Sequence, residues 1–83
     1  LHVACEFKKL DAVKDLLNNN AIIDVKNKDG KTPLHIACEK DDTKIIKLLI
    51  DNKANINSTN YEGKIPLHMA CKNDDIKIIE LLI

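Results

Sequence analysis

Asp29-Gly30-Lys31-Thr32-Pro33-Leu34-His35-Ile36-Ala37-Cys38 holds a turn and a helix start in one short segment. Asp29-Gly30 is a turn signal. Thr32 supplies an N-cap oxygen, and Pro33 fits the first helical position, where its missing N–H is no loss. A short helix follows over roughly residues 33–40, with Leu34, Ala37 and Cys38 facing inward. Asp41-Asp42 interrupts it. Asp42 is then a good N-cap for a second helix from about Thr43 to Asn52, and its charge suits that helix's positive end. Ile45, Ile46, Leu48, Leu49 and Ile50 are apolar on more than one face of this helix. A lone surface helix shows a single stripe, so this one is expected to have neighbours on both sides.

The same text recurs on either side. Leu34-His35-Ile36-Ala37-Cys38 returns as Leu1-His2-Val3-Ala4-Cys5 and as Leu67-His68-Met69-Ala70-Cys71, each 33 residues away. Residues 34–50 match residues 67–83 at 12 of 17 positions and residues 1–17 at 7 of 17, so the first copy is the more diverged. Neither helix of a copy reaches the roughly 12–15 residues at which isolated helices become marginal in water. Stability must therefore come from stacking one copy on the next. The spacing divides one domain, 1–83, into a partial repeat (1–28), a full repeat (29–61) and a second partial repeat (62–83). Residues 51–66 read as an extended loop ending in a turn, pinned by Ile56. The chain opens inside a first helix and stops inside a second. Neighbouring repeats are expected at both ends, covering faces around Leu10, Val13 and Leu17 and around Ile78, Ile79 and Leu82. By itself such a slice should be weakly stable and prone to associate.

Composition excludes several classes. The chain has 83 residues, with 13 positive and 13 negative side chains, and every positive one is lysine. Zero net charge without arginine argues against nucleic acid, since phosphate binding wants a basic excess and base readout favours the guanidinium fork. The longest apolar runs, such as Leu48-Leu49-Ile50, cannot cross a bilayer. Ile, Leu and Val supply 25 residues, too many for a disordered tail. Three cysteines cannot all pair within the chain, and no secretory leader is visible, so reduced thiols in an intracellular, cytoplasmic setting are expected.

Asp29-Gly30-Lys31-Thr32-Pro33-Leu34-His35-Ile36-Ala37, followed by Ile45-Ile46-Lys47-Leu48-Leu49 and Ala54-Asn55-Ile56-Asn57, resembles the ankyrin repeat over the whole chain. The resemblance implies a mainly α fold: antiparallel helix pairs joined by β-hairpin-like loops and stacked into a curved solenoid. Family members usually bind other proteins through the loop tips and the concave face of the first helices. Mapped onto this sequence, those positions are Lys28, Asp29, Lys31, Glu39 and Lys40 in the middle copy. They are Tyr61, Glu62, Lys64, Lys72 and Asn73 in the last, and Glu6 and Phe7 in the first. Both aromatics of the chain fall in this set, and aromatics are over-represented among binding hot spots. The alternative for them is packing on their own repeat or on the adjacent loop. The rest of the set mixes signs, which suggests a polar, salt-sensitive contact.

Departures from the family pattern are informative. The glycine usual between the helices is Lys8, Asp41 and Asp74 in the three copies, and the glycine usual after the second helix is Asn20 and Lys53. A residue there often takes a left-handed conformation, which Asn tolerates better than Lys; Lys53 is expected to be mildly strained. Ile65 replaces the capping Thr of the last copy, with an expected local cost of about 1 kcal/mol.

Three His-x-x-Cys pairs (His2/Cys5, His35/Cys38, His68/Cys71) superficially suggest metal. Each offers two ligands where a structural zinc site needs four, and packed helices sit about 8–10 Å apart. The structural reading is favoured: the His belongs to the ankyrin signature, which implies a ring bonded to the neighbouring loop's backbone, and the Cys acts as a small buried apolar group. Asn57-Ser58-Thr59 matches a glycosylation sequon, read as chance because Asn57 is also the ordinary ankyrin Asn. Ser58 is the only serine and has no histidine near it in sequence. No glycine-rich phosphate loop exists, and Asp41-Asp42 and Asp74-Asp75 recur as helix starters. The expectation is a non-enzymatic module with no cofactor and no metal that binds another protein. A second class is a spacer or scaffold within a larger regulatory protein. A metal-binding fragment is a third and weaker one.

Overall fold

Every described residue of regular structure is helical. The computed structural model describes residues 1–72 and 76–82. Six helices follow in order: α1 His2–Glu6, α2 Leu10–Asn18, α3 Pro33–Glu39, α4 Thr43–Asp51, α5 Pro66–Lys72 and α6 Ile76–Leu82. α1, α3 and α5 pack side by side in one layer, and α2, α4 and α6 in a second. Each odd helix also packs on the even helix that follows it, so the chain is a stack of three helix pairs.

The caps explain where the middle pair begins. Pro33 stands in the first turn of α3, and the Thr32 hydroxyl accepts the His35 N–H at 3.4 Å. The Asp42 carboxylate accepts the Ile45 N–H at 3.1 Å and starts α4. Both helices lie within a residue of the expected bounds. α1 and α2 lack such caps, which fits the greater divergence of the first copy.

A shared device ends four helices. Lys8, Asn20, Asp41 and Lys53 take φ values of 56°, 65°, 58° and 68°. At each, the positive-φ residue's N–H reaches the carbonyl three residues back. The next N–H reaches five back, as in Lys53 to Ile50 (2.9 Å) and Ala54 to Leu49 (3.0 Å). This is the Schellman closure, which satisfies carbonyls that the helix end would leave unpaired. The left-handed conformation expected at Lys53 is present, and Lys8 and Asp41 share it. Asp74 and Asp75 lie outside the described residues.

The core runs through the stack. Leu34, Ala37 and Cys38 are buried as expected, and α3 is so enclosed by α1 and α5 that His35 and Ile36 are buried too. α4 has α2 and α6 as neighbours, with Ile45, Ile46 and Leu49 buried and Leu48 and Ile50 partly so. Ile56 packs against this core and remains partly exposed. The expected end faces are less open than the sequence suggested. Val13, Ile78 and Leu82 are buried within the stack itself, while Leu10, Leu17 and Ile79 are partly covered. The reason is that a two-layer pair closes on itself as well as on its neighbour.

The loops between pairs are turns without strand pairing among the described residues. The Asn27 N–H meets the Lys31 carbonyl at 2.9 Å, and the Asn60 N–H meets that of Lys64 at 2.8 Å. They are hairpin-like in closure only.

Candidate functional site

Two turn tips project from the stack, each organised by an asparagine. The Asn27 Oδ1 accepts the N–H groups of Asp29 and Lys31, both at 2.9 Å. The Asn60 Oδ1 accepts those of Glu62 and Lys64, also at 2.9 Å. Sequence reasoning singled out the Asp-Gly pair and missed these residues. The signal that could have found them is Asn-x-x-Gly at the repeat spacing, Asn27 to Gly30 and Asn60 to Gly63. The Asn60 Nδ2 is buried without a hydrogen-bond partner.

Adjacent tips are tied together. The Tyr61 N–H donates to the Asp29 carbonyl at 3.1 Å, and the Lys26 ammonium donates to the Thr59 carbonyl at 2.9 Å. The Tyr61 ring lies on Gly30, where a Cβ would stand 2.6 Å from the ring. Tyr61 thus rests against the neighbouring turn, as the packing alternative expects, and stays 73 % exposed. Phe7, just after α1, is 66 % exposed.

Histidines set the distance between turn and helix. The His35 Nε2 donates to the Lys64 carbonyl at 2.8 Å, one repeat on, and the His2 Nε2 donates to the Lys31 carbonyl at 2.7 Å. With Nε2 protonated, the His35 Nδ1 accepts from the Thr32 hydroxyl at 2.9 Å and the Thr32 N–H at 3.1 Å. Both ring nitrogens of His35 are thereby engaged, leaving no lone pair for a metal. Burial holds its pKa below the ordinary 6.5, partly opposed by the Lys64 carbonyl. Burial pushes the Cys5 thiol up to about 11 and the Cys38 thiol up to about 12, so both are held in the neutral, poorly nucleophilic form.

Four of the expected contact residues line one cleft of about 380 Å³: Lys31, Glu39, Glu62 and Lys64, with His68 and Met69. Its charges are already paired. Lys31 and Glu39 stand 2.6 Å apart, and Lys64 and Glu62 stand 4.0 Å apart. The bond to Glu39 raises the Lys31 pKa above its ordinary value. Lys40 of the middle pair reaches Glu6 of the first at 3.1 Å. Lys28 and Asp29 are exposed at the first tip. Asn73 and the Lys72 side chain lie outside the described residues.

A two-layer stack of short helix pairs with ordered polar tips defines a helical repeat protein. The family model for ankyrin repeats, in three copies, matches residues 1–83; the chain belongs to the ankyrin-repeat family. No curated protein matches it. Ankyrin repeats are in general protein-interaction modules and typically non-catalytic. No described helix is long and apolar enough to cross a membrane.

Proposed function

We propose that this chain is a non-catalytic protein-binding segment of a longer ankyrin array, contacting its partner through the turn tips and the exposed side of α1, α3 and α5. The observation that carries the reading is the pair of ordered tips with a largely exposed Tyr61 fixed between them. A side chain already held against Gly30 loses little freedom when a partner covers it, so its apolar area converts to affinity with a small entropic offset. The boundaries 1–28, 29–61 and 62–83 follow from the same repeat spacing, and the unbridged buried thiols Cys5 and Cys38 suit a reducing intracellular compartment.

Salt dependence is where geometry refines the sequence reading. Lys31, Lys40 and Lys64 have carboxylate partners within the chain. Their charges are partly spent before a partner arrives. The contact is therefore led by Tyr61, Phe7 and backbone groups, with a weaker salt response than the lysine content suggests.

The test uses a partner captured by the immobilised chain. Tyr61→Ala and Phe7→Ala should each weaken its affinity by more than about 1 kcal/mol. Unchanged affinity in both variants would remove the proposal. A scaffold role without direct contact predicts no saturable partner at all.

A further inference from the structure

Lys26 and Thr59 hold the same place in consecutive copies, 33 residues apart. The stack brings equivalent positions side by side, and the Lys26 ammonium donates to the Thr59 carbonyl at 2.9 Å. Both residues are exposed, and residues 58–60 form neither helix nor strand. Lys26 makes no ion pair within 4.0 Å among the described residues, unlike Lys31, Lys40 and Lys64. Its charge rests against a neutral carbonyl.

The four serine and threonine side chains are not equivalent. Thr32 is buried and caps α3, while Thr43 and Ser58 are partly buried. Thr59 is the exposed one. It is also the one with a carboxylate three residues on, Glu62; the others have His35, Ile46 and Tyr61 at that distance.

We propose that Thr59 is a phosphorylation site, modified by an acid-directed protein kinase, and that Lys26 of the preceding turn holds the phosphate. The Thr59 Oγ1 attacks the γ-phosphorus of ATP, the bond from that phosphorus to the ADP oxygen breaks, and the hydroxyl proton passes to the kinase. The products are phosphothreonine and ADP. Glu62, exposed at the turn tip, supplies the charge that a basic kinase pocket reads. The phosphate carries a charge of about −2 at pH 7 and three acceptor oxygens. It arises on the residue that the Lys26 ammonium already contacts, so a charge-assisted bond becomes available there. The nearby carboxylates have partners: Glu62 is paired with Lys64 at 4.0 Å, and Asp24 accepts the Asn55 N–H at 2.9 Å. Lys26 is the unspent charge, and attraction outweighs repulsion. The consequence is a firmer tie between the two tips, across the seam that the Tyr61 N–H and the Asp29 carbonyl already bridge. It does not depend on a bound partner.

The intact chain is incubated with ATP and a kinase of the casein kinase type, and the product is mapped by mass spectrometry. The expected result is one phosphate, on Thr59, and none in Thr59→Ala. Glu62→Gln should slow the reaction by about tenfold or more. The phosphorylated protein should melt roughly 2–4 °C above the unmodified one at low salt, with a smaller rise at high salt. Lys26→Gln keeps a hydrogen-bond donor without the charge; it should still take the phosphate and lose the rise. Absence of phosphate from Thr59, an unchanged rate in Glu62→Gln, an unchanged or lower melting midpoint after phosphorylation, or an equal rise in Lys26→Gln overturns the inference.

Discussion

Lys8, Asn20, Asp41 and Lys53 hold side chains where the backbone favours glycine. A left-handed L-residue costs roughly 1–2 kcal/mol, offset in part because glycine has more unfolded-state freedom to lose. Lys53→Gly should therefore raise stability by about 1 kcal/mol in urea unfolding, and Asn20→Gly by less, because Asn tolerates this region better. A lowered midpoint for Lys53→Gly would remove the strain argument. The two glycines give the converse case. Gly30 and Gly63 have φ of +76° and +77°, but only Gly30 has the Tyr61 ring against it. Gly30→Ala should cost clearly more than Gly63→Ala, by about 1 kcal/mol or more, since it adds a clash to the same backbone strain. Equal losses would mean that both the Tyr61 ring and its backbone N–H give way without cost.

Helix starts separate the three copies. α3 has a threonine cap closed by its histidine in both directions. At α5 the Ile65 N–H still reaches the His68 Nδ1 at 3.0 Å, but the cap oxygen is missing. Ile65→Thr should restore it and stabilise the protein by about 1 kcal/mol; an unchanged or lower melting midpoint would contradict this. The positions of α3 and α4 were legible in the sequence because Thr32-Pro33 and Asp42 are local signals that act within one turn. The left-handed positions after the second helices, Asn20 and Lys53, were legible because the ankyrin pattern that the sequence resembles has glycine there; Lys8 and Asp41 were not singled out as left-handed. The asparagine organisers of the turns were not, since an amide oxygen accepting two N–H groups is defined by loop geometry, and many loop asparagines accept none. Burial of Val13, Ile78 and Leu82 was also hidden, because helical periodicity shows which residues are apolar and not which layer covers them. Candidate contact residues could be placed only through the ankyrin resemblance, and their mutual pairing, Lys31 with Glu39 and Lys40 with Glu6, depends on side-chain reach across the stack.

At the scale of the whole molecule, His2 and His35 carry the stack's register by bonding the next repeat's turn. That arrangement makes stability respond to acid. The folded-state pKa of His35 is lowered, so below the ordinary value of 6.5 the unfolded chain binds the extra proton first. Stability is fully present above that value and is lost as pH falls from it toward the lower folded value. The urea midpoint should drop between about pH 7.5 and about pH 5.5, and the slope should flatten in His35→Gln. The same register positions the two tips that the functional reading depends on. The central claim is that a partner is held at those tips, and the most direct measurement is its affinity for two matched variants. Tyr61→Ala should weaken binding by about tenfold, while Ile22→Ala, equally exposed but outside the contact set, should leave it unchanged. Loss at Ile22 with none at Tyr61 would contradict the account.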